Sequence, residues 1–283
     1  MKRLFFLLSF IAFSFLACEE ISPVVTGTVR TDDPPPPPPE DQKRQVLVEE
    51  FTGVKCVNCP NGAILIEEEL AKHGNQLIAI SIHAGTFSDP YPQSAIDFRT
   101  QAGNDLLNYL GQPFGYPSAV VDRKKFENEF DLQLGANQWA GFIAQEAAKD
   151  PKVKIDVQHT FNASSREADI EVLLFVEETI NEPDVRLSLL FTENDVVDHQ
   201  LTPASSPDTD PNYKHKHVLR GKATPFDGNP ITDNLTVGSV ITESFDYLIP
   251  PEWNEDNVKI VAIVSLAGEK KDVLQAFEIS LVK

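Results

Sequence analysis

Two periodicities divide this chain. From residue 45 to 150, apolar runs alternate with helical stripes. Val46 to Phe51 is apolar on both faces of a strand, as in a covered parallel sheet. Ala63, Ile64, Ile66, Leu70 and Ala71 then make a helical stripe, with Glu67, Glu68 and Glu69 on the wet side. Pro60 suits the first turn of that helix, where its missing N–H is not needed. Lys72-His73-Gly74-Asn75 supplies a basic last turn and a glycine stop. Leu77 to His83 is a second buried strand, so the order is a βαβ unit with a right-handed crossover. A helix is predicted over 94–110, a turn-rich loop over 111–117, a short strand over 118–122 and a closing helix over 132–149, ended by Asp150-Pro151.

From Val153 the period becomes two. Strands are predicted over 153–161, 168–177, 185–193, 213–220, 239–248, 258–267 and 273–282. Seven short strands separated by turn residues suggest a β-sandwich of immunoglobulin-like kind. Asn181-Glu182-Pro183-Asp184 and Ala267-Gly268-Glu269-Lys270 read as hairpin turns, and 195–212 as the longest loop, a natural binding segment. The fold class expected is therefore α/β plus all-β, with domains at 45–150 and 151–283.

The N-terminus adds an address. Met1-Lys2-Arg3 followed by apolar Leu4 to Phe15 reads as a signal peptide, too short to span a bilayer comfortably. Phe15-Leu16-Ala17-Cys18 resembles a bacterial lipobox, in which the cysteine carries lipid and becomes the first residue. The small Ala17 fits, while Phe15 replaces the usual leucine. This gives a leader over 1–17 and, over 18–44, a lipidated tether containing the proline run Pro34 to Pro39. Such a run is a stiff spacer of about 3 Å per residue. With Cys18 lipidated, Cys56 and Cys59 remain of the 3 cysteines, a pair with no odd thiol. The formal charge of −19 argues against nucleic acid or an anionic membrane surface as partner. The partners expected are the membrane, through lipid on Cys18, and an envelope protein or extracellular ligand.

Cys56 and Cys59 form the single C-x-x-C, at the turn between the first strand and first helix. Two chemistries compete there. Disulfide exchange needs an exposed low-pKa thiolate at a helix N-terminus and a resolving thiol, and Lys55 would favour thiolate. A stable, inert disulfide in an oxidising compartment is the other. Residues 45–150 resemble a thioredoxin-like domain: a strand leading into C-x-x-C, a helix opening at the pair, and a later Gly-x-Pro before a strand. The resemblance implies that Pro117 is a cis-proline beside the cysteines. It also implies that Glu50, six residues before Cys56, is the buried acid that could take the resolving thiol's proton. Lys55 stands in place of the usual tryptophan, and Val57-Asn58 in place of Gly-Pro. If the pair is redox-active, its catalytic set would be Cys56, Cys59, Glu50 and Pro117.

The longer string Phe51-Thr52-Gly53-x-x-Cys56-x-Asn58-Cys59-Pro60 resembles the 28-kDa outer-membrane-protein (Omp) related lipoprotein family of Bacteroidota. So do Ile-Ser-Ile-His-Ala-Gly (80–85), Asp-Phe-Arg-Thr (97–100), Gly-Tyr-Pro-Ser (115–118) and His-Val-Leu-Arg (217–220). That resemblance implies an outer-membrane lipoprotein and leaves its activity undefined. The function expected is an envelope binding or assembly module with a Cys56–Cys59 disulfide; the alternative is an envelope thiol-disulfide oxidoreductase.

Other polar residues carry weaker signals. His83 ends a predicted parallel strand, where α/β folds place ligands, with Asp89 and Tyr91 following. It could handle a proton beside the cysteines or be a hydrogen-bonded structural histidine. Tyr213, His215 and His217 alternate, so a strand would present them on one face. They could begin a metal site with His199 or Asp198, or form a solvated face beside Lys214 and Lys216. Asp208-Thr209-Asp210-Pro211-Asn212 opens like a calcium loop but has Tyr213 and Leu219 where an EF-hand needs Gly and Glu. No phosphate-binding or nucleophile-elbow motif occurs, and no cofactor or metal is expected.

Overall fold

The computed structural model describes residues 36–282. The leader, Cys18 and the tether up to residue 35 lie outside the described residues. From Gln42 onward the chain belongs to the folded body: the Gln42 side chain accepts from the Ile155 N–H and donates to the Ile155 carbonyl, each at 2.7 Å.

In chain order the elements are β1 (Val46–Thr52), α1 (Cys59–His73), β2 (Leu77–His83), α2 (Gln101–Leu110), β3 (Ser118–Val121), β4 (Leu134–Gly135), α3 (Trp139–Ala147), β5 (Val153–Asn162), β6 (Glu167–Val176), β7 (Val185–Glu193), β8 (Val196–Gln200), β9 (Asp210–His215), β10 (Val218–Lys222), β11 (Asn229–Pro230), β12 (Val240–Leu248), β13 (Val258–Leu266) and β14 (Val273–Ser280). The main sheet is mixed and has nine strands in the order β14-β13-β7-β10-β2-β1-β3-β4, with β11 also pairing β7. Among the described residues its only parallel pairings are those of β2 with β1 and with β10. β12-β6-β5 forms a second, antiparallel sheet, and β8-β9 a third.

The main sheet crosses from one half of the chain to the other where Val218 of β10 pairs with Ser81 of β2. One of its faces packs Ile78, Ile80 and Ile82 together with Leu190, Val261 and Ile263, under Leu106 and Leu110 of α2. The opposite face packs Val46, Val48, Leu77 and Ala79 under α1 and α3, through Ile66, Trp139 and Ile143. Further along, Leu187, Leu189, Phe191, Ile260 and Ala262 meet Ile155, Ile170, Val172 and Leu174 of the second sheet. Two sheets thus do face each other in the second half, but one of them is the main sheet itself.

Several elements differ from the sequence expectation. The helix predicted over 94–110 begins only at Gln101, because Thr100 caps it by accepting from the Gly103 N–H at 2.9 Å. The closing helix shortens to Trp139–Ala147, because Leu134–Gly135 pairs instead with Ser118 and Ala119. The strand predicted over 213–220 breaks at His217, whose φ of 53° turns the chain from β9 into β10, strands of different sheets. Residues 195–212 contain β8 and the start of β9 rather than loop alone. Asn181 to Asp184 joins strands of different sheets, so it is a crossover and not a hairpin turn.

Candidate functional site

β1 ends at Thr52 and α1 opens at Cys59, so the six residues between them form a turn carrying the first cysteine. Cys56 and Cys59 are joined by a disulfide, with Cα atoms 5.4 Å apart. Within the turn, the Cys56 N–H donates to the Gly53 carbonyl at 3.0 Å and the Cys59 N–H to the Cys56 carbonyl at 3.3 Å. Both cysteines are buried, at 4% and 2% exposure. Two segments pack on the turn that carries Cys56. The segment after β2 lies on the turn: Lys55 N–H donates to the Phe87 carbonyl at 3.0 Å, and a Cβ on Gly53 would stand 2.4 Å from that same carbonyl. The end of β8 lies on it as well. Gln200 Nε2 donates to the carbonyls of Cys56 (3.1 Å) and Gly53 (3.3 Å), and Leu201 N–H donates to the Val54 carbonyl at 2.8 Å. The Lys55 ammonium sits over the Tyr91 ring, 5.7 Å from its centroid.

Glu50 and Pro117 meet beside the first turn of α1. The Tyr116–Pro117 peptide bond is cis. A Cβ on Gly62 would fall 2.7 Å from Glu50 Oε1 and 2.7 Å from Pro117 Cγ, so only glycine leaves room for both. Glu50 accepts from Ser81 Oγ at 3.2 Å, while its Oε1 has no hydrogen-bond partner among the described residues. Burial in this setting pushes its carboxyl up to about 8, and the Ser81 hydrogen bond offsets only part of that.

Between α1 and β9 lies a cavity of about 600 Å³. Its walls are Pro60, Ala63, Ile64 and Tyr213, and its inner end is built from Glu50, Ser81, His83, His215 and the edge of Cys59. His83 and His215 are packed edge to face, centroids 5.4 Å apart, and Phe98 lies against both rings at 4.8 and 4.4 Å. Burial holds His83 well below the usual imidazole range and His215 down at about 4. Burial, with the neighbouring Glu50 charge, raises Tyr213 to about 12. At the rim Glu67 pairs with Lys216 and with His217 Nε2, the latter at 2.9 Å; the His217 hydrogen bond is the largest reason its carboxyl stays near 2.

The residues singled out in the sequence are partly brought together. Cys59, Glu50, His83, Tyr213 and His215 all reach the cavity. Asp89 is drawn away to Arg99, and His199 Nδ1 to Thr209 Oγ1 at 2.7 Å. Asp198 accepts from the Ile96 N–H at 2.7 Å, fastening β8 to the segment before α2. His217 leaves the strand face for Glu67, so the alternation of three does not survive. Among the described residues no three His, Cys, Asp or Glu side chains converge as a metal site. The sequence reading missed Gln200 and Gly62. Gln200 acts across 144 residues and has no local signal. A glycine inside a helical stripe does signal a close approach, and Gly62 was legible in that sense.

The fold and site define a mixed α/β protein with a buried disulfide at a helix start and an apolar cavity beside it. The chain belongs to the Omp28 family: the family model described as outer membrane protein Omp28 matches residues 107–280, more than half of it. That match contains Pro117, Gln200, Tyr213 and His215, whereas Glu50 and the two cysteines precede it. No curated protein matches the chain. Among solved structures, HBP35 of Porphyromonas gingivalis superposes with a TM-score of 0.65 at 18% identity, covering 85% of this chain and 76% of that one. Protein AGR_C_4864 from Agrobacterium tumefaciens gives 0.52 at 11% identity, covering 84% and 95%. A domain of the outer membrane lipoprotein Omp28 from Porphyromonas gingivalis is 14% identical over 46% of this chain and 88% of that one, with a TM-score of only 0.30. At these identities the likeness of the first two concerns the fold alone.

Proposed function

We propose that this chain is a cell-envelope binding or assembly module, held at the outer membrane through lipid on Cys18, with Cys56–Cys59 as a structural disulfide. In this reading residues 45–150 form a thioredoxin-like domain. Residues 151–283 add an immunoglobulin-like sandwich that shares its sheet, and the partner is an envelope protein or an extracellular ligand. The observation that carries it is the pair of segments packed on the cysteine turn. Exchange requires an attacking thiolate to reach a sulfur. Here the segment at Phe87 and the β8 end at Gln200 and Leu201 are hydrogen-bonded to the backbone of the turn around the pair, and both cysteines are almost fully buried.

One observation favours a second reading, a thiol-disulfide oxidoreductase. Glu50 and Pro117 both abut Gly62, one turn from Cys59. A carboxyl titrating near 8 is poised to give a proton to a departing thiolate at neutral pH. The reduction potential of the pair separates the two. A value below about −300 mV supports the structural disulfide, and one between about −120 and −270 mV supports the oxidoreductase. Accumulation of a mixed disulfide with an envelope protein in the Cys59→Ser variant would likewise overturn the binding-module reading.

A further inference from the structure

We propose that the cavity between α1 and β9 is a binding site for an uncharged, largely apolar small molecule, its body against Pro60, Ala63, Ile64 and Tyr213 and its hydrogen-bonding head toward Glu50 and His215. This rests on the binding-module reading and names a ligand class for it.

The volume of about 600 Å³ lies within the range of small-molecule sites, which are mostly apolar with a few polar groups at one end. Residues that line the inner end carry buried polar atoms that the protein leaves unsatisfied. Glu50 Oε1, His83 Nδ1 and His215 Nε2 have no partner among the described residues, and their residues are 2%, 4% and 4% exposed. Buried polar atoms without partners are costly, so three such residues lining one cavity suit a ligand that supplies the missing hydrogen bonds.

The charge state of the ligand follows from what surrounds that end. Ser81 and His83 face it from β2, Glu50 from β1, Cys59 from α1, and Tyr213 and His215 from β9. None of these is a fixed cation or anion, and burial keeps Glu50 protonated and both imidazoles neutral at pH 7. The formal charges of the site stand at the rim, where Glu67 engages Lys216 and His217, and where Lys214 and Glu68 are solvent-exposed, away from the buried inner end. A charged head would be desolvated without a counter-ion, a cost that a neutral hydroxyl, amide or amine head of low basicity avoids. Ser81 donates to Glu50 Oε2, which leaves the acid proton on Oε1 as a donor.

Two probes of one skeleton test this. N-phenyl-1-naphthylamine is uncharged; 1-anilinonaphthalene-8-sulfonate adds a sulfonate. Titrating each into the folded full-length protein at pH 7, we expect saturable fluorescence enhancement with the neutral probe and affinity at least tenfold weaker with the sulfonate. Ala63→Trp fills the cavity, and should weaken the neutral probe at least tenfold with the circular dichroism spectrum unchanged. Ile64→Glu places a charge on the apolar wall at a position 56% exposed, where folding is not at stake, and should weaken it similarly. No saturable binding of the neutral probe, or binding unaffected by Ile64→Glu, overturns the site. Equal affinity for the sulfonate overturns the assignment of an uncharged ligand. These outcomes are independent of the reduction potential, so the site and the structural-disulfide reading can fail separately.

Discussion

Gly62 shows how one position couples a motif to its surroundings. In a helix, glycine ordinarily costs about 1 kcal/mol relative to alanine. Here an added methyl would overlap Glu50 Oε1 and the Pro117 ring at 2.7 to 2.8 Å. The sign should therefore reverse: Gly62→Ala is expected to destabilise by about 1–3 kcal/mol, as overpacking does. A urea titration that finds the variant more stable would show that Glu50 and Pro117 do not hold their places against α1. Glu50 itself should govern the alkaline side of stability. Its folded pKa is raised from 4.5 to about 8 by burial, so the native state binds the extra proton, and stability falls as pH rises through that window. Asp122, raised from 3.8 to about 6 by burial against the pull of Arg44, works in the same direction. His215, lowered from 6.5 to about 4, works oppositely, and its stability is lost as pH falls through its own window. His83, lowered in the same sense as His215, adds to that effect; both histidine contributions are complete by about pH 6.5, above which the Glu50 decline stands alone. The cost of ionising Glu50 is of order several kcal/mol, an upper bound from a shift of this size. Glu50→Gln, neutral at every pH, should flatten the decline in urea midpoint between pH 6 and 9. An unchanged slope would remove Glu50 as its cause.

At the scale of elements, the β8–β9 hairpin should control access to the disulfide. Among the described residues its two strands pair only with each other; Gln200 and Leu201 fasten it to the turn, Asp198 to the segment before α2, and Glu67 holds Lys216 and His217 just past the end of β9. Each such hydrogen bond contributes about 1 kcal/mol. Gln200→Ala removes two that reach the C-x-x-C turn, so local opening becomes easier by that order. Reduction of Cys56–Cys59 by a small phosphine reductant should then accelerate about tenfold, followed by thiol labelling, with the global unfolding midpoint lowered only slightly. An unchanged rate would mean that the other cover, at Phe87, controls access. A second element-scale device is the pair between the middle of β1 and the residues just after β3. Glu49 and Arg123 are both essentially fully buried and joined at 2.7 and 2.9 Å, so neither can lose its partner cheaply.

For the whole molecule, the continuous sheet has a consequence for folding. β2 is parallel to β1 on one side and to β10 on the other, and the α2 core draws Leu190, Leu219, Val261 and Ile263 from the second half. Arg44, just before β1, donates to Asp122 at 2.6 Å and to the carbonyl of Val273 in β14 at 2.8 Å, closing the first half onto the last strand. The two halves should therefore unfold together. The chain provides its own reporters, because its 2 tryptophans fall one in each half, Trp139 in α3 and Trp253 before β13. In the single-tryptophan variants Trp253→Phe and Trp139→Phe, each referred to its own circular dichroism transition, fluorescence and circular dichroism should give coincident midpoints. Fluorescence midpoints that depart from the circular dichroism in opposite directions would show two independent domains.

Much of the fold is legible in the chain itself. The βαβ opening, the cysteine pair at a strand-to-helix turn, the change of period near residue 150 and most strands of the second half follow from local spacing, which constrains local backbone. The resemblance carried by Phe51 to Pro60 and the later strings also pointed to the family that the comparison establishes. What only the tertiary structure decided is which distant segments meet. Nothing within reach of Gln200 in sequence says that it will cap Cys56. Nothing near Val218 says that it will extend the sheet at Ser81, and the turn at His217 that permits this looks like one more alternating position. Periodicity reports which face of an element is apolar, but a strand bonds equally well to any partner of suitable register. The choice is made by the summed burial of the whole chain, and the cavity, the segments packed on the disulfide turn and the main sheet shared by both halves are products of that choice.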